Sequence, residues 1–244
     1  MSMVNFTGCN KRLVWFVVAT LLVACSSTPK VPLAAHPPVK TIALLPIVDQ
    51  TQFTLYKSAN ALILFGVIGH ALLAQDKESK SRSFAGKMQA HQLALGSDLM
   101  SLLERDLTSQ GYQVVVLRDQ NMGLVEPSDF DYKRVQTDAD AILHVWITEV
   151  GVSSPATKLS YRPQMNVKAQ LISAKDYREL FYESIDYGAD VTVARNGNIP
   201  SAPQFSWGTF ATLMEKLLDV AEGLKAGTQL VSEHIATLIR KEGV

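Results

Sequence analysis

The chain has 244 residues, with 23 Lys plus Arg against 23 Asp plus Glu, so its formal net charge is zero. No basic excess points to nucleic acid, and the length supports one sizeable core. Its two cysteines, Cys9 and Cys25, both lie near the N-terminus, so residues beyond 25 carry no disulfide, cysteine nucleophile or thiolate metal site.

Lys11 and Arg12 precede an apolar run from Leu13 to Ala24 that ends at Cys25. A positive segment, an apolar stretch too short to span a bilayer and a small residue before the cut mark a secretory signal, residues 1–24. Leu22-Val23-Ala24-Cys25 resembles the lipobox of bacterial lipoproteins. That resemblance implies cleavage before Cys25, a diacylglycerol on its sulfur and an acyl chain on its amine. No other cofactor is expected. Ser26 in place of aspartate implies sorting to the outer membrane, with the domain on the periplasmic face. Removal of 1–24 would leave 21 basic and 23 acidic residues.

Residues 25–39, with Pro29, Pro32, Pro37 and Pro38, read as a lipidated flexible tether, and residues 40–244 as one periplasmic α/β domain. Thr41–Val48 reads as a strand buried on both faces, with Pro46 near its end. Residues 59–74 are apolar nearly throughout, and Leu62, Ile63, Leu64, Phe65, Gly66, Val67, Ile68 and Gly69 make them a candidate interface. The segment reads as a buried helix over the sheet, or as a surface that packs between subunits or inserts shallowly into the membrane. Met88, Leu95, Leu99, Leu102, Leu103 and Leu107 then predict one helix from Phe84 to Gln110, stopped by Gly111.

A strand is expected at Tyr112–Leu117, and a short helix capped by Ser128 towards Gln136. Asp138-Ala139-Asp140 leads into a strand over Ala141–Val150. Alternation predicts further strands at Gln164–Ile172 and Glu179–Tyr187, joined by a turn at Ala174-Lys175-Asp176. Residues 190–206 read as a loop with a turn at Asn196-Gly197, and Trp207–Lys241 as helix interrupted near Gly223 or Gly227. The expected fold is α/β (α+β): a mixed sheet whose antiparallel meander packs against two long helices.

The opening strand Ile42-Ala43-Leu44-Leu45-Pro46 is similar to the start of the curli-secretion lipoprotein family. It is similar also to the activator lipoproteins of penicillin-binding proteins and to the N-terminal domain of the Tol translocation protein. The strand lead-in Ala139-Asp140-Ala141-Ile142-Leu143 and the hairpin around Lys175-Asp176 extend that resemblance over roughly residues 40–188. Members of these groups are scaffolds, activators or channel subunits, so no catalytic residue carries over.

Residues with reactive side chains give little else. His36, His70, His91, His144 and His234 show no zinc spacing, and no nucleophile elbow occurs. The Ser27–Lys30 pair lies in the tether, and Asp138 with Asp140 suits a turn or cap better than an acid/base pair. The sequence therefore points to a non-enzymatic binding, assembly or regulatory factor held at the membrane by its lipid, with other envelope proteins or a second copy as partners. The alternatives are a lipid-anchored hydrolase and a subunit of an outer-membrane export complex. A pore would need alternating hairpins, whereas residues 59–74 are continuously apolar.

Overall fold

The computed structural model describes residues 38–57, 66–118, 129–154, 160–188 and 197–241. The signal, Cys25 and the tether to Pro37 lie outside the described residues, as do Ser128 and residues 59–65 of the apolar segment. Strands are β1 (Thr41–Leu44), β2 (Thr54–Lys57), β3 (Gln113–Val116), β4 (Ala141–Ser154), β5 (Arg162–Ser173), β6 (Glu179–Tyr187) and β7 (Asn198–Ile199). Helices are α1 (Gly66–Gln89), α2 (Leu95–Ser109), α3 (Phe210–Glu215) and α4 (Leu217–Lys241). The expected α/β class and mixed sheet are therefore present.

The strands form one sheet in the order β3-β1-β4-β5-β6-β7. β1 lies parallel to both β3 and β4, while β4, β5 and β6 run antiparallel. Strand β2 also pairs with β4 in parallel, at Gly151–Ser154, where β1 takes Ala141–Leu143. Since β5 occupies the other edge of β4, β1 and β2 share one edge: the strand expected over 41–48 ends at Leu44, and β2 is a separate, unexpected strand. Residues 45–53 loop out between them. Pro46, which has no N–H to give a ladder, lies two residues past the end of β1. The loop returns at Thr54, whose hydroxyl donates to Val150 O at 3.1 Å.

Period-two alternation sorts the meander as expected. Met165, Val167, Ala169 and Leu171 of β5 and Phe181, Ile185 and Tyr187 of β6 are buried towards the helices. In β4, Leu143, Val145 and Ile147 face the same way. The ladder then shifts between Ile147 and Glu149, leaving Thr148 as the extra residue of a bulge. Beyond it Val150 and Val152 point to the helices, and β4 runs four residues past its expected end.

The helices cover that one face. Leu95, Leu99, Leu103 and Leu107 of α2, at four-residue steps, are fully buried with Val220, Leu224, Val231, Ile235 and Ile239 of α4. Burying each such side chain contributes about 1.5–3 kcal/mol. Between the two helices, the buried Ser232 hydroxyl donates to Asp106 Oδ2 at 2.6 Å.

The single helix expected over 84–110 is two. Helix α1 ends at Gln89, His91 N donates to Met88 O at 3.0 Å, and Gln92 takes a positive φ of 49°. Helix α2 has no cap of its own, since Ala94 precedes it. Its cap comes from the loop between β1 and β2: Asp49 Oδ1 accepts from Gly96 N at 2.7 Å and Ser97 N at 3.0 Å, and Oδ2 from the Ser97 hydroxyl at 3.0 Å. Gly96 lets the loop come this close, because a Cβ there would stand 2.8 Å from Ile47 O. Asp49→Ala should cost about 1–2 kcal/mol, read as a lower urea midpoint with an unchanged slope. At its other end α2 stops as expected at Gly111, with φ of 97°.

Three further expectations are corrected. The short helix before β4 is a 3-10 turn, Tyr132–Arg134, capped by Asp131, whose carboxylate accepts from Lys133 N. The C-terminal helix breaks at Lys216, between α3 and α4, and not at Gly223 or Gly227. Those glycines sit within α4 because the Tyr187 ring and Phe205 press on them, and Tyr187 Oη donates to Gly223 O at 2.9 Å. The loop expected over 190–206 includes the two-residue strand β7, parallel to β6. Of the apolar segment, residues from 66 onward form the start of α1, which continues through the charged stretch 76–80.

Candidate functional site

The sheet has a second face, away from the helices. Its lower part is covered by the segment 129–135, where Tyr132 and Val135 bury Ala43, Leu45, Ile142 and Ile172 into a small separate core with Phe130 against it. The upper part carries no helix among the described residues. Rows of side chains cross it in register: His144, Gln170 and Tyr182; then Trp146, Lys168 and Ser184; then Glu149, Asn166, Asp186 and Asn198. The β4 bulge puts Glu149 on this face.

Hydrogen bonds organise the rows. Asn166 Nδ2 donates to Glu149 Oε2 at 3.1 Å, and Gln164 Nε2 to Asn166 Oδ1 at 3.3 Å. Partial burial, and then the charge of Asp186, raises the Glu149 carboxyl above its ordinary pKa. Tyr182 is 47% exposed, so an aromatic ring stands open beside the polar rows. Such a face, half aromatic and half amide and carboxylate, suits recognition of another surface.

At the border of covered and open parts lies His144, 5% exposed. Its Nδ1 is 3.1 Å from Tyr132 Oη, which donates to Gln170 Oε1 at 2.9 Å; Gln170 Nε2 donates to Glu179 Oε2 at 2.7 Å. With the tyrosine proton given to Gln170, the imidazole Nδ1 must be the protonated nitrogen that donates to Oη. Phe130 and Trp146 meet the ring edge-on, at 4.9 and 6.4 Å between centroids. Burial lowers the His144 pKa to about 4. Burial first, and the charge of Glu179 second, raises that of Tyr132. The pair is therefore neutral at pH 7 and holds the segment down. Alternation had placed His144 with Ile142 and Trp146, but its partner came from a turn 12 residues earlier that no periodicity marks.

Asp140 is a clamp between two strands rather than the local turn or cap expected before β4. Its Oδ2 accepts from Lys40 N at 2.9 Å and from Thr41 N and Thr41 Oγ1 at 2.8 Å. The Lys40 and Thr41 amides, and then the Thr41 hydroxyl, lower its pKa. The stabilisation it gives is present above the unfolded carboxylate pKa, about 3.9, and is lost as pH falls through the lower folded value. Asp140→Ala should cost about 1 kcal/mol at pH 7, and the gap to the unaltered chain should narrow as pH falls below the unfolded carboxylate pKa of about 3.9 in urea titrations.

The remaining residues singled out in the sequence do not converge. Leu22, Val23, Ala24 and Cys25, and Leu62, Ile63, Leu64 and Phe65, lie outside the described residues, while Gly66, Val67, Ile68 and Gly69 open α1. His91 is in the α1–α2 connection and His234 on α4, apart from His144. Among the described residues no three His, Cys, Asp or Glu are grouped to hold a metal ion, and no helix is long and apolar enough to cross a membrane.

No protein-family model matches the chain, and no curated protein matches it. Among solved structures it is similar to a DUF330-family protein of Xanthomonas campestris, with TM-score 0.43 and 12% identity over 87% of this chain and 89% of that one. A hypothetical protein of Chlamydia trachomatis gives 0.34 and 11% over 78% and 98%. A lipoprotein of Neisseria meningitidis gives 0.29 and 18% over 60% and 81%. With scores this low, the chain's own residues carry the reading of function.

Proposed function

We propose that the protein is a lipid-anchored envelope protein that acts by contact, as a binding, assembly or regulatory factor, without catalysing a reaction. The observation that carries this reading is Leu22-Val23-Ala24-Cys25 behind a short apolar run, followed at once by a proline-bearing tether. The lipid on Cys25 fixes the chain to the membrane. Ser26 directs it to the outer membrane, with the domain facing the periplasm. Support for a contact role comes from the sheet face that no helix covers among the described residues, where Trp146, Tyr182, Asn166 and Glu149 lie in adjoining rows. The apolar residues Leu62–Gly69 supply a second contact region, towards another envelope protein or a second copy.

In-cell crosslinking followed by purification of the lipidated protein tests the reading. A discrete, reproducible envelope complex, reduced by Tyr182→Ala or Trp146→Ala, is the expected result. Recovery of monomer alone, together with turnover of a glycan or other small substrate, would overturn it.

A further inference from the structure

We propose that residues 129–135 are an acid-released strap: at neutral pH Tyr132 fastens them over the second face of the sheet, and protonation of His144 lets them lift. The strap lies on the sheet surface and is not a member of it. Its underside is Phe130, Tyr132 and Val135, and beneath these lie Ala43, Leu45, Ile142 and Ile172, none more than 3% exposed. The fastening is the Tyr132 hydroxyl, shared between His144 on β4 and Gln170 on β5.

The backbone of His144 is held in place. Strand β4 is paired with β5 at this point through Gln170, and Leu45 N holds the neighbouring Leu143 O on the other edge at 3.0 Å. An imidazolium confined by Phe130, Tyr132 and Trp146 has lost its water, which a buried charge does not tolerate without a partner. Groups that face or flank it are Tyr132, Asp129, Asp131, Lys133 and Arg134 from the strap, Lys168 and Gln170 from β5, and Glu179 and Tyr182 from β6. Asp131 is engaged by Arg134 at 3.7 Å and by the Lys133 amide, and Glu179 by Gln170. Hydration of the charged ring comes most cheaply by raising the strap. The raised state bares Ile142, Ile172, Ala43 and Leu45, an apolar patch continuous with the open rows around Trp146.

The sign follows from the depressed His144 value. Below the free imidazole pKa of about 6.5, the open form binds a proton that the closed form refuses until about pH 4. The closing equilibrium should therefore weaken by up to about tenfold per pH unit across that window.

Hydrogen exchange on the full-length protein in detergent, corrected for intrinsic rates, reads this directly. Between pH 7 and 4.5 the amides of 130–136 should lose protection while those of β5 and β6 keep theirs. In His144→Gln the strap should no longer respond to pH. Unchanged strap protection down to pH 4.5, or a loss shared equally by β5 and β6, would overturn the proposal. If His144→Gln does not fold, the His144 ring is titrated by NMR in the unaltered protein. Its midpoint must coincide with that of strap opening, and a separation of more than about one pH unit would overturn the proposal as well.

Discussion

A Cys25→Ala chain is expected to carry no acyl chain and, once residues 1–24 are removed, to leave the membrane fraction completely. Each buried methylene of an acyl chain contributes about 0.8 kcal/mol, one chain holds a protein only reversibly, and two or more hold it stably. Removal of the acceptor sulfur removes the diacylglycerol and, with the uncut amine, the third chain. Fractionation of cells and the intact mass of the mature protein check this: the unaltered protein should begin at Cys25 and carry the acyl mass. If a Cys25→Ala chain that has lost residues 1–24 stays membrane-bound in equal amount, the anchor is elsewhere, and the apolar residues 59–74 become the first place to look.

The second large effect is expected from Gly151→Ala, at about 3 kcal/mol. Gly151 has φ of 158° and pairs with Thr54 on one side and Gln164 on the other. A Cβ there would overlap Thr54 O and stand 2.7 Å from Thr54 N, both backbone atoms of a strand that cannot yield as a side chain can. Strand β2 must then detach from β4. Phe53 and Leu55, 5% and 7% exposed, would lose much of their burial, at about 1.5–3 kcal/mol each when complete. Gly86→Ala is the control. It lies in α1 with nothing within 4 Å of its Cβ, so it should stabilise by about 0.5–1 kcal/mol. Urea unfolding of the two variants should therefore move in opposite directions. Equal stability of Gly151→Ala and the unaltered chain would mean that β2 does not pair as described.

What could be read from the sequence follows from whether each signal is local. The β5–β6 hairpin was legible because its alternation is written in consecutive residues and its turn residues sit between them. The Gly111 stop was legible for the same reason. The break between α1 and α2 was not, since His91-Gln92-Leu93-Ala94 contains no breaker and the cap, Asp49, comes from 47 residues earlier. Strand β2 was missed because four residues, Thr54–Lys57, show no period, and their place is set by Gly151 far along the chain. Gly223 and Gly227 were misread because a glycine admits two explanations. It can weaken a helix, or it can let a ring such as Tyr187 lie against it, and only the packing decides. At the candidate site, the strand entry at Asp140 was legible but its grip on Lys40 and Thr41, about 100 residues away, was not, and Tyr132, Gln170 and Glu179 converge on His144 only once three strands and a turn are assembled.

The place of β1 has a mechanical consequence. The chain enters the domain at residue 38 and runs at once into a strand that is central in the sheet, between β3 and β4. A pull from the N-terminal side is therefore taken along β1, loading the rungs to both neighbours in shear at the same time. An edge strand would instead peel away one rung after another. The Asp140 carboxylate, gripping Lys40 and Thr41 at the point of attachment, spreads the load onto β4 before the first rung gives way. With the lipid anchor proposed above, force reaching the domain from its N-terminal side would thus be carried by an interior strand.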